Sequence, residues 1–415
     1  MSQLAGSAKL LRAINSSATL AHLLQAGQLT RAELRERTGL SKPTSSEMLR
    51  LLTDAGLAIV AGRTAGGLGP TAEIYAPNGD AAYAVAISVR EGTEQEGPGL
   101  ATALCDLSGT IRDRAEARVD FVRTPPGKAV FQAVRRACDR AGVDRQRVRH
   151  VQVGVPGAYD LRTDTIHQVE VLGWNQPGVL QSIRARLDLP PATSIALDND
   201  VKLAAIAERH RGVAAGVDSF CLLWLGNGIG LATDLGGALL RGARGGAGEI
   251  GYLPLCVGHH DARDNATLQE LVGGPAVLDL AAEHGIRATT PAQAVAAGGS
   301  DEQSFLQRLA ERIAFALAPV IAVLDPPLVV LAGEVGQAGG ARLRDAVAAA
   351  MHPSSNAFAG LSHGSVEIAV TAVTDDAVLL GGLDAGLSTV HESLVSSLAQ
   401  PSPTDQGAVH ETLAR

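Results

Sequence analysis

An α/β fold with an N-terminal winged helix-turn-helix is predicted by three observations. Residues 1–78 read in order as helix, helix, turn, helix and β-hairpin. From Ala81 onward, apolar runs of strand length alternate with helical segments, the pattern of mixed sheets flanked by helices. The 415 residues are 46% hydrophobic and 19% charged but only 3% aromatic. That excludes a mainly disordered chain and requires a core of Ala, Val, Leu and Ile.

Residues 8–26 form a first helix, with Leu10, Leu11, Ile14, Leu20, Leu23 and Leu24 as its apolar positions. Thr30 followed by Glu33 makes a capping box for a short helix over Arg31–Thr38. Gly39-Leu40-Ser41 turns the chain, and Ser41 caps a second helix over Lys42–Ala55 with Pro43 in its first turn. Strands at Leu57–Ala61 and Ala72–Ala76 flank a glycine-rich tip, Gly62 to Pro70. Pro77-Asn78-Gly79 marks a domain boundary. Beyond it, Ala82–Val89, Leu100–Leu107, Ile111–Phe121 and Val148–Val155 read as strands, with Gly127–Ala141 helical. A strand at Ser194–Leu197 leads into a helix over Asn199–Arg211. Ser219–Leu225 and Ile229–Asp234 make a hairpin around Gly226-Asn227-Gly228. Helices dominate 267–325, Leu328–Leu331 is a buried strand, and Asp376–Ser388 a late helix. The expected units are 1–78, 79–392 and a polar tail over 393–415. No repeat of 20–50 residues is visible.

The net charge is −8, yet residues 1–78 carry eight Lys/Arg against five Asp/Glu, leaving −11 for the remainder. That asymmetry suggests a nucleic-acid-facing end on an acidic body. Four scattered cysteines without CxxC spacing predict no disulfide framework. The start lacks the apolar run of a signal peptide, and no uncharged stretch has the length of a membrane span. A cytoplasmic location away from membranes is expected.

A helix-turn-helix reads DNA with the N-terminal end of its second helix, where small polar and basic groups meet base edges and phosphates. Here that end is Ser41-Lys42-Pro43-Thr44-Ser45-Ser46. Met48, Leu49, Leu51 and Leu52 form its buried face, and Arg50 lies on the exposed side. Arg63, near the wing tip, can reach a phosphate or the minor groove. The candidate DNA contacts are Ser41, Lys42, Thr44, Ser45, Ser46, Arg50 and Arg63. The alternative is a small helical domain for protein contacts.

The rest of the chain reads VGVPGAYD (Val153–Asp160), LGWN (Leu172–Asn175), LDNDVKLAAIAE (Leu197–Glu208), LGNGIG (Leu225–Gly230), GGAGEIGY (Gly245–Tyr252) and LDPPLVVLAGEVG (Leu324–Gly336). Together these resemble the ROK family of sugar kinases and of repressors that join a winged helix to a sugar-kinase-like body. The resemblance runs over roughly residues 10–390 and implies two actin-like lobes. It places Asp200 where the kinases have their general base, Asn199 beside it on a sugar hydroxyl, and Glu249 as a further sugar ligand. A helix N-terminus favours an ionised Asp200. The competing reading of Asn199-Asp200 is simple N-capping.

Three departures from the family pattern bear on chemistry. The DxGGT phosphate loop is replaced by AISVREGTEQEGPG (Ala86–Gly99), which has no Asp and adds Glu91, Glu94 and Glu96. Carboxylates repel phosphate oxygens, and Ala332-Gly333-Glu334 adds another acid near a further phosphate motif. Productive ATP binding is therefore not expected. The family's zinc-ligating His is Tyr252 here, and the zinc loop (Leu255–Glu270) keeps one cysteine, so a metal-free loop is expected rather than a site from Cys256, His259, His260 and Asp261. Gln269 stands nearest the family's second sugar Glu. Tyr252 offers a hydroxyl and a flat face for a sugar ring, and Trp174 can do likewise unless it is core.

These readings predict a homodimeric or homotetrameric repressor of carbohydrate-use genes. It would bind an operator in double-stranded DNA, answer to a sugar or sugar-derivative effector, and have no catalytic residues, zinc or ATP. An active sugar kinase fused to a DNA reader and a ligand-independent regulator with a decayed cleft are the alternatives.

Overall fold

The structure, a computed structural model, describes residues 2–64, 71–92, 97–169, 171–255, 266–298, 303–352 and 366–398. The N-terminal unit comprises α1 (Ser2–Ala26), β1 (Leu29–Thr30), α2 (Arg31–Thr38), α3 (Lys42–Asp54), β2 (Ala58–Arg63) and β3 (Glu73–Pro77). Its small sheet has the order β1-β3-β2. The capping box at α2 forms as the spacing predicts: Thr30 Oγ1 accepts the Glu33 N–H at 3.3 Å, and the Glu33 carboxylate accepts the Thr30 N–H at 2.7 Å. Ser41 caps α3 by accepting the Thr44 N–H at 3.4 Å. Leu20, Leu23, Leu34, Leu49, Leu52 and Tyr75 close the core.

The first lobe follows with β4 (Tyr83–Arg90), β5 (Gly99–Asp106), β6 (Ile111–Arg118), α4 (Pro126–Ala141), β7 (Val148–Val155), β8 (Ala158–Asp160), β9 (Thr165–His167), α5 (Val179–Arg186), β10 (Ser194–Asn199) and α6 (Asp200–Arg211). Its five-stranded sheet is ordered β10-β7-β4-β5-β6. The second lobe contains β11 (Phe220–Leu225), β12 (Ile229–Leu235), β13 (Ala238–Leu239), α7 (Leu268–Val272), α8 (Gly274–Glu283), α9 (Pro291–Ala297), α10 (Gln303–Leu324), β14 (Leu328–Ala332), α11 (Gly333–Ala350) and β15 (Glu367–Val370). Its sheet is ordered β13-β12-β11-β14-β15.

The two sheets share one topology. In each, three antiparallel strands come first, and two parallel strands add beyond the first of them. The chain is therefore duplicated in topology, each unit being far longer than a 20–50-residue repeat. A winged helix-turn-helix on a two-lobed actin-like body is the resulting architecture.

A last helix, α12 (Ala377–Leu398), returns from the second lobe to the first. It lays Leu379, Leu383 and Leu387 over a face of small residues, Ala84 and Ala86 of β4 and Ala101, Ala103 and Cys105 of β5. Leucines seated on alanines fill this layer densely without aromatics. At Gly381 the helix touches α6 so closely that a Cβ would lie 1.7 Å from the Leu203 carbonyl oxygen. The winged-helix leucines belong to this same core. Both crossings between the lobes are tied by buried Glu208 of α6, which accepts the Val213 N–H at 2.9 Å, the Val373 N–H at 3.1 Å and the Thr371 hydroxyl.

Some expectations change. The late helix runs to Leu398, ten residues past Ser388, so 393–398 are helical; amphipathic packing against α1 through Val395 extends it. Residues 399–415 lie outside the described residues. The strand from Ile111 ends at Arg118. The glycine-rich start of α11 hid a helical stretch over Gly333–Ala350, which breaks at Gly340, where φ is +52° and ψ −142°.

Candidate functional site

α3 presents its N-terminal turn outward. Ser41, Lys42 and Arg50 are exposed, and Thr44 and Ser46 are half-buried. Ser41 and Thr44 also bond through their hydroxyls at 2.8 Å. Arg50 pairs with Asp54 at 3.0 Å, one turn away, which leaves its charge partly compensated. Arg63 is exposed at the end of β2, and the rest of the wing tip, 65–70, lies outside the described residues. Ser45 is a correction. It is fully buried with its hydroxyl unpartnered, because α3 turns that position onto α1 beside Met48 and Ser16. It cannot touch DNA from there.

Between the lobes lies a cleft of about 300 Å³. Strand ends build it. β7 delivers Pro156 and Gly157, β10 delivers Asn199, and the first residue of α6 is Asp200. Across the gap stand Trp224 of β11, Asn227 in the hairpin turn, and the segment holding Glu249 and Tyr252. Gly248 sets that segment: its φ is +96°, and a Cβ there would meet the Leu231 carbonyl oxygen at 1.9 Å. Only glycine lets Glu249 enter the cleft in this way.

Asn199 does cap α6. Its Oδ1 accepts the Lys202 N–H at 3.2 Å, and its Nδ2 donates to the Gly157 carbonyl at 3.1 Å. An amide oxygen has a second lone pair, so capping and facing the cleft are compatible. Asp200 departs from the ionised state its helix position predicts. Burial pushes its carboxyl up to about 7; the Val201 N–H opposes that, while the neighbouring charges of Glu91 and Glu249 add to it. Desolvation thus outweighs the helix dipole. Glu249 is also raised by burial, with Lys202 pulling the other way.

Lys202, missed at the sequence level, is buried behind the cleft and donates to the Gly245 carbonyl. Burial lowers its pKa, and Asp198, Glu249 and Asp200 counter that fall. Its position two residues after Asp200 was the available signal. Trp224 and Gln168 are further lining residues that sequence reasoning did not single out. Trp224 lies in the apolar strand β11, whose pattern gives no sign of a cleft position.

Trp174 is the second correction. It is wholly buried in the first lobe, edge-on to Phe121 at 5.7 Å, and does not line the cleft. Gln269 does border it, but both ends of its amide serve the hairpin: Oε1 accepts the Ile229 N–H at 2.9 Å and Nε2 donates to the Asn227 carbonyl at 3.0 Å. Tyr252 is more than half exposed at the cleft mouth. Glu91 lines the cleft, within reach of the charge on Asp200; Glu94 and Glu96 lie outside the described residues. Cys256, His259, His260 and Asp261 also lie outside them. The described residues contain no group of three or more potential metal ligands and no helix long and apolar enough to cross a membrane.

Comparison with known proteins agrees with this fold. The ROK family matches residues 92–385. A solved ROK family transcriptional regulator, a homologue of the E. coli Mlc protein, superposes with a TM-score of 0.70 at 18% identity, covering 94% of this chain and 99% of that one. It shares the fold along nearly the whole length. A glucokinase from Halalkalibacterium halodurans is 24% identical over 56% of this chain and 74% of its own. A xylose repressor from Bacillus subtilis is 24% identical over 59% of this chain and 61% of its own. Relatives of both kinds, kinase and repressor, are therefore present.

Proposed function

Because the chain belongs to the ROK family, we propose that it is a DNA-binding transcriptional regulator, a repressor of carbohydrate-use genes that senses a sugar or sugar derivative in the interlobe cleft and transfers no phosphate. One observation carries this reading: a winged helix-turn-helix, with the N-terminal turn of α3 outward, shares its hydrophobic core with α12 of the family body. Phosphoryl transfer by itself does not require such an element. Glu91 in the cleft supports the second half of the proposal, because phosphoryl transfer needs charge neutralisation there. A pseudo-palindromic operator follows if two copies pair about a two-fold axis.

The test is operator selection from sheared genomic DNA followed by gel shift. Lys42→Ala and Thr44→Ala are each expected to weaken operator binding by about 1–3 kcal/mol, roughly 5- to 150-fold. Equal affinity for both variants and the wild type would remove α3 as the reader.

A second reading, a working sugar kinase, is favoured by Asp200, whose pKa of about 7 suits a general base at neutral pH. A coupled ADP-release assay over a panel of hexoses separates the two. No protein-dependent release above background is expected. Release that Asp200→Asn abolishes would establish the kinase.

A further inference from the structure

The charge of the body is not uniform. Residues 79–415 carry −11, yet the fifteen residues Arg135–Arg149 hold six arginines against only Asp139 and Asp144. Arg140 is neutralised by a two-pronged pair with Asp113, and Arg145 faces Asp188 at 3.7 Å. Arg135, Arg136, Arg147 and Arg149 form no ion pair among the described residues. Arg147 and Arg149 donate to the backbone carbonyls of Asp80 and Gln146, both at 3.1 Å. Such bonds aim a guanidinium without cancelling its charge.

Arg147 and Arg149, at the start of β7, sit where the reader joins the body, and Arg135 and Arg136 lie in the last two turns of α4, the helix that leads to that strand. β4 and β7 are parallel, with Tyr83 opposite Val148, so the start of β7 lies level with the start of β4. Pro77, the end of the wing strand, is six residues before Tyr83. Arg147 reaches the connecting segment itself, at Asp80. The C-terminal end of α3 is held to the same junction, since Asn78 donates to the Gly56 carbonyl at 2.7 Å. The 13 residues of α3 span about 20 Å, or roughly six base pairs of duplex.

We propose that Arg135, Arg136, Arg147 and Arg149 form a second duplex-DNA contact surface on the first lobe, which grips phosphates flanking the site read by α3. The partner chemistry is that of a closely spaced polyanion, since four uncompensated guanidinium groups on an acidic body have no other evident counterpart. Arginine forks suit phosphate oxygens. The inference rests on the regulator reading and adds a contact region outside the winged helix.

The experiment measures anisotropy of a fluorescein-labelled 60-base-pair duplex of random sequence against the full chain over a salt series. Each phosphate contact contributes about 0.9 to the slope of log affinity on log salt. The Arg136→Gln, Arg147→Gln, Arg149→Gln triple variant is expected to lose about 2 to 3 from that slope. The matching Arg→Lys triple variant should keep it, which separates charge from folding. A triple Gln variant with wild-type slope and affinity, alongside Lys42→Glu that has lost binding, would overturn the second surface and leave the reader intact. Wild-type protein that binds no duplex would overturn both. A triple variant that keeps its DNA slope but releases anionic phosphatidylserine vesicles bound by wild type would show a lipid-facing patch and overturn the proposal too.

Discussion

Gly381→Ala is expected to destabilise the protein by about 3 kcal/mol or more, the upper end of what overpacking costs. The added methyl group would sit 1.7 Å from the Leu203 carbonyl oxygen and 3.1 Å from the Ala207 nitrogen. Both are backbone atoms of α6 and cannot swing aside as a side chain does. The helices must separate, and the interface along the sheet opens with them. Gly246→Ala is the control, because nothing lies within 4 Å of its Cβ position. Denaturant unfolding followed by circular dichroism reads both. Equal midpoints for Gly381→Ala and the wild type would show that α6 and α12 do not pack as described.

Asp200→Ala and Glu249→Ala are expected to abolish the ligand response while preserving DNA binding. Removing one partner of a buried polar contact costs about 1–3 kcal/mol, and more where charge is involved. If ligand releases the operator, both variants repress constantly in a reporter strain grown on a sugar panel. Wild-type induction in both variants would exclude the cleft as the sensor. The pH dependence follows from the raised carboxyl of Asp200. A folded-state pKa above the unfolded value stabilises the ligand-free protein below the unfolded value, near 4, and that stability is lost as pH rises through about 7. Ligand hydroxyls donate best to the ionised form, so affinity should fall by up to about tenfold for each unit below 7. Asp200→Asn should flatten the stability profile and remove this dependence. Calorimetric titration at pH 6 and 8 checks it, and equal affinities at both would rule out Asp200 as the ligand acceptor.

Local rules made much of the fold legible. The Thr30–Glu33 box, the Ser41 cap and the hairpin from Phe220 to Leu235 rest on residues close in sequence, and each forms where its pattern says. What was not legible depends on distant neighbours. Trp174 and Trp224 look alike along the chain, but tertiary packing buries one against Phe121 and sets the other at the cleft. Ser45 sits among hydroxyls that suit DNA, yet the helical turn points it inward. Asp200 illustrates the same limit in electrostatics. Its helix position was readable, while Glu91, 109 residues earlier, and Glu249, 49 residues later, were not readable as its neighbours.

The position of α12 has a consequence for how the protein is made. Strand β5 ends at Asp106, and the helix that covers it begins at Ala377, about 270 residues later. At the roughly 5–20 residues per second of synthesis, that face of the sheet waits about 15 to 50 seconds for its cover. The winged helix emerges first, but its leucines belong to the same core. A nascent or prematurely ended chain therefore carries a reader without its support, beside an alanine-rich sheet face open to chaperones or to other chains. Emergence of α12 from the ribosome is the event that completes the core of the winged-helix unit.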